Sequence, residues 1–294
     1  MTGVFLIGFA ILFGILTMFL WGIADFLYAF TSRKIGHKNA TFYIFVVMAI
    51  GVILLIYMHQ RLNLDNMDLL LIMILGITGV FAAMSFAKGS ELGSLFIVSP
   101  VASTWAVLTV ALSVIILGEK LAYIQILGIG MIVCGVVLES FNPRDIIKLK
   151  LSRKNMVVGV EYGIFAALLW GIFSFFLGLL IYRIGIFPAG VLYVIPSLVI
   201  SAVIAGSVKR RSRKVDKSRI WILAILVAGL ASLIGNFTFG AGITRNYIAV
   251  VAPIASAAPA VTIALAMFIF KERPTYNQYI GAIAILLGII AISI

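Results

Sequence analysis

Three side chains near the start of the chain are the first candidates for chemistry. Trp21, Asp25 and Tyr28 stand at i, i+4 and i+7, so a helix would place them on one face. Asp25 lies within a long apolar run, and a carboxylate inside a membrane-spanning segment is costly unless it faces protein or water. It could transfer a proton or bind a substrate amine. The alternative is a hydrated carboxylate near a helix end, with Arg33 and Lys34 two turns away.

Two prolines stand beside a second set of polar residues. Pro100 and Pro253 each remove a backbone donor and, inside a helix, free the carbonyl one turn earlier. Such carbonyls, together with Ser99, Ser103 and Ser256, could contact a substrate. Proline is also favoured at the first position of a helix, and we favour that structural interpretation.

The second part of the chain adds further candidates. Asn236 lies deep in an apolar run, where its amide needs a partner and can serve as interhelical glue or as a substrate contact. Ser85 and Thr238 occupy equivalent positions of an internal repeat and are candidates to join it. Trp170 and Ser174 are the repeat partners of Trp21 and Asp25. The two tryptophans are candidates for cavity walls or for packing beside a glycine.

Several classes of chemistry have no sequence support. The chain has one cysteine and two histidines, without ligand spacing, so we expect no metal site, no haem and no other cofactor. No G-x-x-x-x-G-K-[ST] motif is present, which argues against direct use of ATP. We identify no catalytic residues and expect that the protein is not an enzyme.

The composition indicates that this chain is embedded in lipid. Of 294 residues, 63% are hydrophobic and 11% are charged, and the mean hydropathy is +1.21. Such a chain cannot supply a hydrated surface. Its apolar runs are continuous rather than alternating, so the spanning elements are helices and not barrel strands.

We predict an all-α integral membrane protein with ten transmembrane helices. A span needs about 20 apolar residues, with charged and turn residues between spans. The predicted spans are 4–30, 41–59, 68–87, 92–117, 121–140, 157–182, 187–207, 220–242, 247–270 and 275–294.

The chain repeats itself. Residues 14–36 overlay 163–185 with nine identities in 23 positions, and 98–135 overlay 251–288 with 14 identities in 38. We therefore expect two five-helix halves, 1–140 and 157–294, joined by a basic linker at 141–156. Because five is odd, the second half should be inverted in the membrane, as in many transporters with a central site.

The paired motifs resemble those of the drug/metabolite transporter superfamily, in particular its ten-helix EamA-type members. The resemblance rests on Leu-Trp-Gly at 20–22 and 169–171, on Pro100 and Pro253, and on Glu119 and Glu272, each followed by Tyr-x-Gln-x-x-Gly. It implies a cavity lined by the first, third and fourth helices of each half, with the fifth helix outside. Because members of this family transport many kinds of compound, the resemblance does not identify a substrate.

These observations favour a secondary active transporter that moves a small metabolite by alternating access. The small number of charges within the spans favours an amino acid or amphiphilic compound over a sugar phosphate, and export is the expected direction. Protons are a candidate coupling ion. The alternatives are an intramembrane lipid-modifying enzyme, which would need clustered catalytic groups, and a channel, which commonly uses oligomer symmetry.

The net charge of +12 is concentrated in loops, which predicts contact with an anionic leaflet rather than with nucleic acid. Loops on one side carry 18 Lys and Arg, and the other side carries 4. The positive-inside rule places 31–40, 141–156 and 208–219 in the cytoplasm and both termini outside. We expect a monomer in the cytoplasmic membrane.

Overall fold

The computed structural model describes residues 2–58, 62–93, 95–140, 153–207, 220–243, 247–270 and 276–293. Of the expected basic segments 141–156 and 208–219, residues 141–152 and all of 208–219 lie outside these residues, and 153–156 belong to the helix that begins at Arg153. All regular elements in the described ranges are helices: α1 (Thr2–Ile35), α2 (His37–Tyr57), α3 (Asn66–Leu92), α4 (Leu95–Ser103), α5 (Trp105–Leu117), α6 (Tyr123–Ser140), α7 (Arg153–Ile184), α8 (Ile186–Leu192), α9 (Val194–Gly206), α10 (Ile220–Gly242), α11 (Ile248–Ser256), α12 (Ala258–Phe270) and α13 (Tyr276–Ser293).

The described residues contain eight helical segments that are long and apolar enough to cross a membrane. Two further apolar helices, Tyr123–Leu138 and Tyr279–Ile292, are shorter and coincide with the expected fifth and tenth spans. The chain is therefore a multi-pass α-helical membrane protein. A count of ten spans and the division into domains at 141–156 remain predictions.

Three of the expected spans are broken helices. The break falls at Thr104 between α4 and α5, at Tyr193 between α8 and α9, and at Ala257 between α11 and α12. Thr104 N–H donates to Val101 O at 3.3 Å, and Ala257 N–H donates to Ile254 O at 3.2 Å. These three-residue hydrogen bonds tighten the backbone at equivalent points of the two halves.

The two shared prolines do not start helices, contrary to the favoured interpretation. Pro100 and Pro253 lie inside α4 and α11, because both helices begin more than one turn earlier. Ser103 Oγ donates to Pro100 O at 2.8 Å, and Ser256 Oγ donates to Pro253 O at 2.7 Å. The serine hydroxyls thus satisfy the proline carbonyls just before each break.

The expected basic loop at 31–40 is almost entirely helical. Only Gly36 separates α1 from α2, and Gly185 separates α7 from α8 in the same way. Their φ angles are 86° and 89°, values that L residues with a side chain rarely adopt. A glycine at each site therefore reverses the chain in one residue.

The two halves interlock through their Leu-Trp-Gly motifs. A Cβ on Gly22 would lie 2.6 Å from Val261 Cβ of α12, and a Cβ on Gly171 would lie 2.8 Å from Leu108 Cβ of α5. At the same crossings, Thr262 Oγ1 donates to Gly22 O at 2.9 Å. The equivalent bond from Thr109 Oγ1 to Gly171 O measures 3.1 Å. Each half thus holds the first helix of the other.

The last helices of the two halves, α6 and α13, pack against each other through glycines. A Cβ on Gly128 would lie 2.7 Å from Gly288 O, and a Cβ on Gly135 would lie 2.7 Å from Gly281 O. As the residue number rises along α6, that of its contact on α13 falls. The two equivalent helices are therefore antiparallel.

Substituting Gly22 with alanine should destabilise the protein, because the added methyl group has no room between α1 and α12. Overpacking of this kind costs about 1–3 kcal/mol. Gly130→Ala is the matched control, since nothing lies within 4 Å of its Cβ position. We expect a lower thermal midpoint for Gly22→Ala in detergent and an unchanged or slightly higher one for Gly130→Ala. Equal midpoints would contradict the close crossing.

Candidate functional site

A cavity lies between the two halves. Its empty volume is about 910 Å³, including the part that opens to solvent. Helices α1, α2, α3, α4 and α5 contribute from the first half, and α7, α10, α11, α12 and the break at Tyr193 contribute from the second. The lining residues are Trp21, Ala24, Asp25, Tyr28, Ile44, Phe45, Met48, Gly79, Ala83, Ser99, Ser103, Trp105, Trp170, Phe173, Ser174, Tyr193, Ser232, Asn236, Ser256, Ala258 and Pro259.

Most of the residues predicted from the sequence meet at this cavity. It contains Trp21, Asp25, Tyr28, Ser99, Ser103, Trp170, Ser174, Asn236 and Ser256. The two others are placed elsewhere by their hydrogen bonds. Ser85 Oγ donates to Phe81 O at 2.7 Å, and Thr238 Oγ1 donates to Gly235 O and pairs with Thr17 Oγ1 at 2.8 Å.

The lining is built from repeat-equivalent positions. The register of 149 residues found for the first helices also fits the second, and the register of 153 fits the third and fourth. Under these registers, most lining residues form pairs across the halves: Trp21 with Trp170, Ala24 with Phe173, Asp25 with Ser174, Ile44 with Tyr193, Gly79 with Ser232, Ala83 with Asn236, Ser103 with Ser256, and Trp105 with Ala258. The cavity is thus lined by equivalent positions of the two halves.

The paired positions differ in chemistry. Trp21 and Trp170 are alike, and so are Ser103 and Ser256, but the remaining pairs combine a small or apolar residue with a larger or polar one. Asp25 has only Ser174 as its counterpart. A pseudo-symmetric frame therefore encloses an asymmetric binding surface, with its carboxylate on one half.

Asp25 lies far from the end of α1. It is ten residues before Ile35, the last residue of its span, which corresponds to about 15 Å along the helix. Its side chain is partly buried, and no described residue donates a hydrogen bond to it or forms an ion pair with it. Arg33 instead donates through Nε to Ser90 O at 2.9 Å. The carboxylate is therefore presented to the cavity.

Asn236 has a protein partner and also lines the cavity. Its Nδ2 donates to Tyr193 OH at 2.5 Å, which links α10 to the break between α8 and α9. Asn236 thus forms an interhelical hydrogen bond and also lies on the cavity surface. Ser99 differs, because its buried Oγ has no hydrogen-bond partner. A ligand hydroxyl or amine could supply one.

Buried phenylalanines hold the two motif tryptophans in place. The ring of Trp21 lies 5.2 Å from that of Phe239, and the ring of Trp170 lies 5.3 Å from that of Phe86. Phe86 and Phe239 are themselves repeat partners, and both are fully buried. Each tryptophan is a cavity wall, while the adjacent glycine of its motif forms the helix crossing.

Sequence reasoning missed several aromatic members of the lining, notably Trp105, Phe173 and Tyr193. Trp105 follows Ser103 on the proline-containing segment, and Phe173 precedes Ser174. Tyr193 lies between two prolines, at 188 and 196, a spacing that is typical of an interrupted helix.

Polar contacts also join the halves away from the cavity. Arg183 at the end of α7 contacts Asp68 through Nε at 2.5 Å and Asp65 through Nη2 at 2.6 Å, both at the start of α3. Hydrogen bonds from the Asp68 backbone and from Arg183 lower the pKa of the Asp65 carboxyl below its usual value. The ion pair between Asp65 and Arg183 therefore stays ionised at neutral pH.

The acidic turn after α5 has a capping role. Glu119 accepts hydrogen bonds from Ile248 N–H at 3.3 Å and Ala249 N–H at 2.8 Å, at the start of α11. Burial raises the pKa of this carboxyl above its usual value, although the two donors oppose the shift. Its repeat partner Glu272 lies outside the described residues. Glu119 thus caps a helix of the opposite half.

The described residues contain no group of three His, Cys, Asp or Glu that could hold a metal ion. The described lining of the cavity offers one carboxylate, several hydroxyls, one side-chain amide and aromatic rings.

Comparison with known proteins identifies the class. The sequence matches the EamA-like transporter family over residues 8–141 and again over 157–294. The chain therefore belongs to this family, whose members are membrane transporters of small molecules and not enzymes. The match to two successive segments agrees with the internal repeat.

Two individual matches add to this result. An uncharacterized protein of Methanocaldococcus jannaschii, MJ1333.1, is 30% identical over 137 residues, which are 45% of this chain and 97% of that protein. A relative about as long as one half thus exists as a separate chain. A solved crystal structure has a TM-score of 0.73 at 18% identity and covers 96% of this chain and 95% of its own, which shows a shared fold.

Thiol labelling can test whether the cavity admits solutes. Ser103 and Ser85 are both 7% exposed, but only Ser103 lines the cavity. In a Cys134→Ala background, we expect Ser103→Cys to react with a small methanethiosulfonate reagent much faster than Ser85→Cys. The measurement is the labelled fraction against time in detergent. Equal rates at the two positions would contradict an accessible central cavity.

Proposed function

We propose that this protein is a secondary active transporter that moves a small amphiphilic metabolite across the cytoplasmic membrane by alternating access, with export as its direction. The observation that carries the proposal is the central cavity, which is lined by repeat-equivalent positions from both halves. A site on the axis between two similar halves can face either side when the halves exchange their shapes.

The packing supports an inverted arrangement of the halves and a count of ten spans. Helices α6 and α13 are repeat partners and run antiparallel, as a twofold axis in the membrane plane requires. The reciprocal crossings at Gly22 and Gly171 fit the same axis. The two shorter helices would then be the fifth and tenth spans, and one chain would suffice as a monomer.

Protons are the proposed coupling ion, with Asp25 as the group that binds them. Asp25 faces the cavity at membrane depth, and no described cation pairs with it. A carboxylate placed in this way can take up a proton from one side and release it to the other as the cavity changes its exposure. The other lining residues that could titrate, Tyr28 and Tyr193, have hydroxyls that are hydrogen-bonded to the protein.

The two alternative functions have less support. An enzyme acting on lipid would need a cluster of catalytic groups, and the described lining offers a single carboxylate without a neighbouring histidine or lysine. A channel would be favoured by a ring of charge or an oligomeric pore. The carrier mechanism follows more directly from a cavity enclosed within one chain.

Replacing Asp25 with asparagine should abolish flux that is driven by a pH gradient, because the amide cannot carry a proton. The test is efflux of a panel of labelled metabolites from liposomes that contain the purified chain, with and without an imposed gradient. Glu161→Gln is the matched control, since Glu161 is exposed and does not line the cavity. Gradient-driven flux that survives in Asp25→Asn would contradict proton coupling at this residue.

The contacts of Arg183 with Asp65 and Asp68 should help to close one side of the cavity, because they join α7 of one half to α3 of the other. Arg183→Ala should therefore raise severalfold the rate at which an impermeant thiol reagent labels Ser103→Cys from that face. The control is Lys120→Ala, which removes an exposed cation outside this contact. An unchanged rate in Arg183→Ala would exclude a gating role for the ion pairs.

A further inference from the structure

We propose that the cavity selects organic cations, meaning amines or quaternary ammonium compounds with a compact apolar or aromatic body. This inference names a substrate class and thus rests on the proposed function for its physiological meaning. Binding itself can be measured without transport.

The charge of the lining is the first argument. Asp25 is the one formally charged residue among the described lining residues, and these include no Lys, Arg or His. The nearest cations along α1 are engaged elsewhere: Arg33 with Ser90 O, and Lys34 over the ring of Phe30 at 5.9 Å. A carboxylate held away from water gains most from a cation that enters beside it. The lining therefore favours a positively charged ligand.

The aromatic surface is the second argument. Three tryptophans line the cavity, and the rings of Trp21 and Trp105 meet edge to face at 5.8 Å. Phe173 and Tyr193 form a second such pair at 5.0 Å. Aromatic faces attract a cation by about 0.5–2 kcal/mol each when water is excluded, and clustered rings are the usual means of holding ammonium groups.

The geometry of α1 brings the two features together. Trp21 stands one turn before Asp25, and Tyr28 stands about one turn after it on the same face. The hydroxyl of Tyr28 pairs with Thr41, so the phenol oxygen is already satisfied by the protein. The ring of Tyr28 and the indole of Trp21 thus border the carboxylate.

The remaining polar groups limit what else can bind. Ser103 and Ser256 donate to proline carbonyls, and Asn236 donates to Tyr193. Ser99, Ser174 and Ser232 remain, and these three hydroxyls cannot serve all the hydroxyls of a sugar. The carboxylate of an amino acid would find no cation in the described lining and would meet Asp25 as a like charge. An organic cation with few hydrogen-bonding groups fits best, and the unpartnered Ser99 hydroxyl can serve one of them.

The test compares three aromatic probes of similar size and different charge: benzyltrimethylammonium, 2-phenylethanol and phenylacetate. Binding to the purified full chain in detergent is measured by isothermal titration calorimetry at one pH and fixed ionic strength. We expect benzyltrimethylammonium to bind at least about tenfold more tightly than either other probe, which corresponds to one step of 1.4 kcal/mol. Equal affinities, or no binding of the cation, would overturn the proposal.

Two variants test the residues. Asp25→Asn should weaken benzyltrimethylammonium binding about tenfold or more, while the control Glu161→Gln should leave it unchanged. Trp105→Leu should weaken the binding of benzyltrimethylammonium more than the binding of 2-phenylethanol, because it removes a ring but keeps an apolar side chain. Unchanged cation affinity in both Asp25→Asn and Trp105→Leu, with thermal midpoints near that of the wild type, would also overturn the proposal.

The outcomes separate this inference from the transport proposal. Selective binding of the cation without flux in liposomes would keep the cation site and contradict the transporter. Flux of another solute class, with no cation binding, would keep the transporter and contradict the cation site.

Discussion

Helices α1 and α7 each cross the opposite half at a glycine, and the rest of the architecture depends on these two crossings. Lipid provides no hydrophobic force between helices, so close packing and interhelical hydrogen bonds must hold them together. Gly22 and Gly171 supply both, because the missing side chain lets α12 or α5 approach and exposes the carbonyl to Thr262 or Thr109. The residue before each glycine is the tryptophan that walls the cavity. One short motif thus fixes the interface and the site together.

The frame is nearly symmetric, whereas the chemistry is not. Equivalent positions line the cavity, but the repeat counterpart of Asp25 is Ser174, and that of Asn236 is Ala83. In the proposed mechanism, symmetric packing lets the two halves exchange shapes at similar energy. The asymmetric lining then gives the substrate one preferred pose. The acidic and basic contacts of Glu119 and Arg183 join the halves at the ends of helices, where such contacts can break without disturbing the lining.

The sequence predicted the helical class and the repeat, because Trp, Pro and Gly in register leave a signal that apolar composition cannot produce. Most of the candidate residues it named lie at the cavity, but they make up fewer than half of the lining. It did not predict the helix breaks at Thr104 and Ala257, since the prolines that precede them fit a helix start equally well. It placed Ser85 with the site, although its hydroxyl bonds to its own helix. The aromatic lining at Trp105 and Tyr193 was missed because an aromatic residue in an apolar run looks like any other packed ring. Only the neighbours of a ring in the folded structure show whether it lines the cavity or packs in the core.

The central claim is that the two halves are related by inversion across the membrane, and side-specific labelling of equivalent residues tests it most directly. Lys38 follows the turn at Gly36, and Phe187 occupies the equivalent position after Gly185. Each is changed to cysteine in a Cys134→Ala background, and an impermeant thiol reagent is added to sealed, oriented vesicles. The account predicts that one of the two positions is labelled from outside and the other only after the membrane is opened. Labelling of both from the same side would contradict the inverted repeat and the alternating-access mechanism built on it.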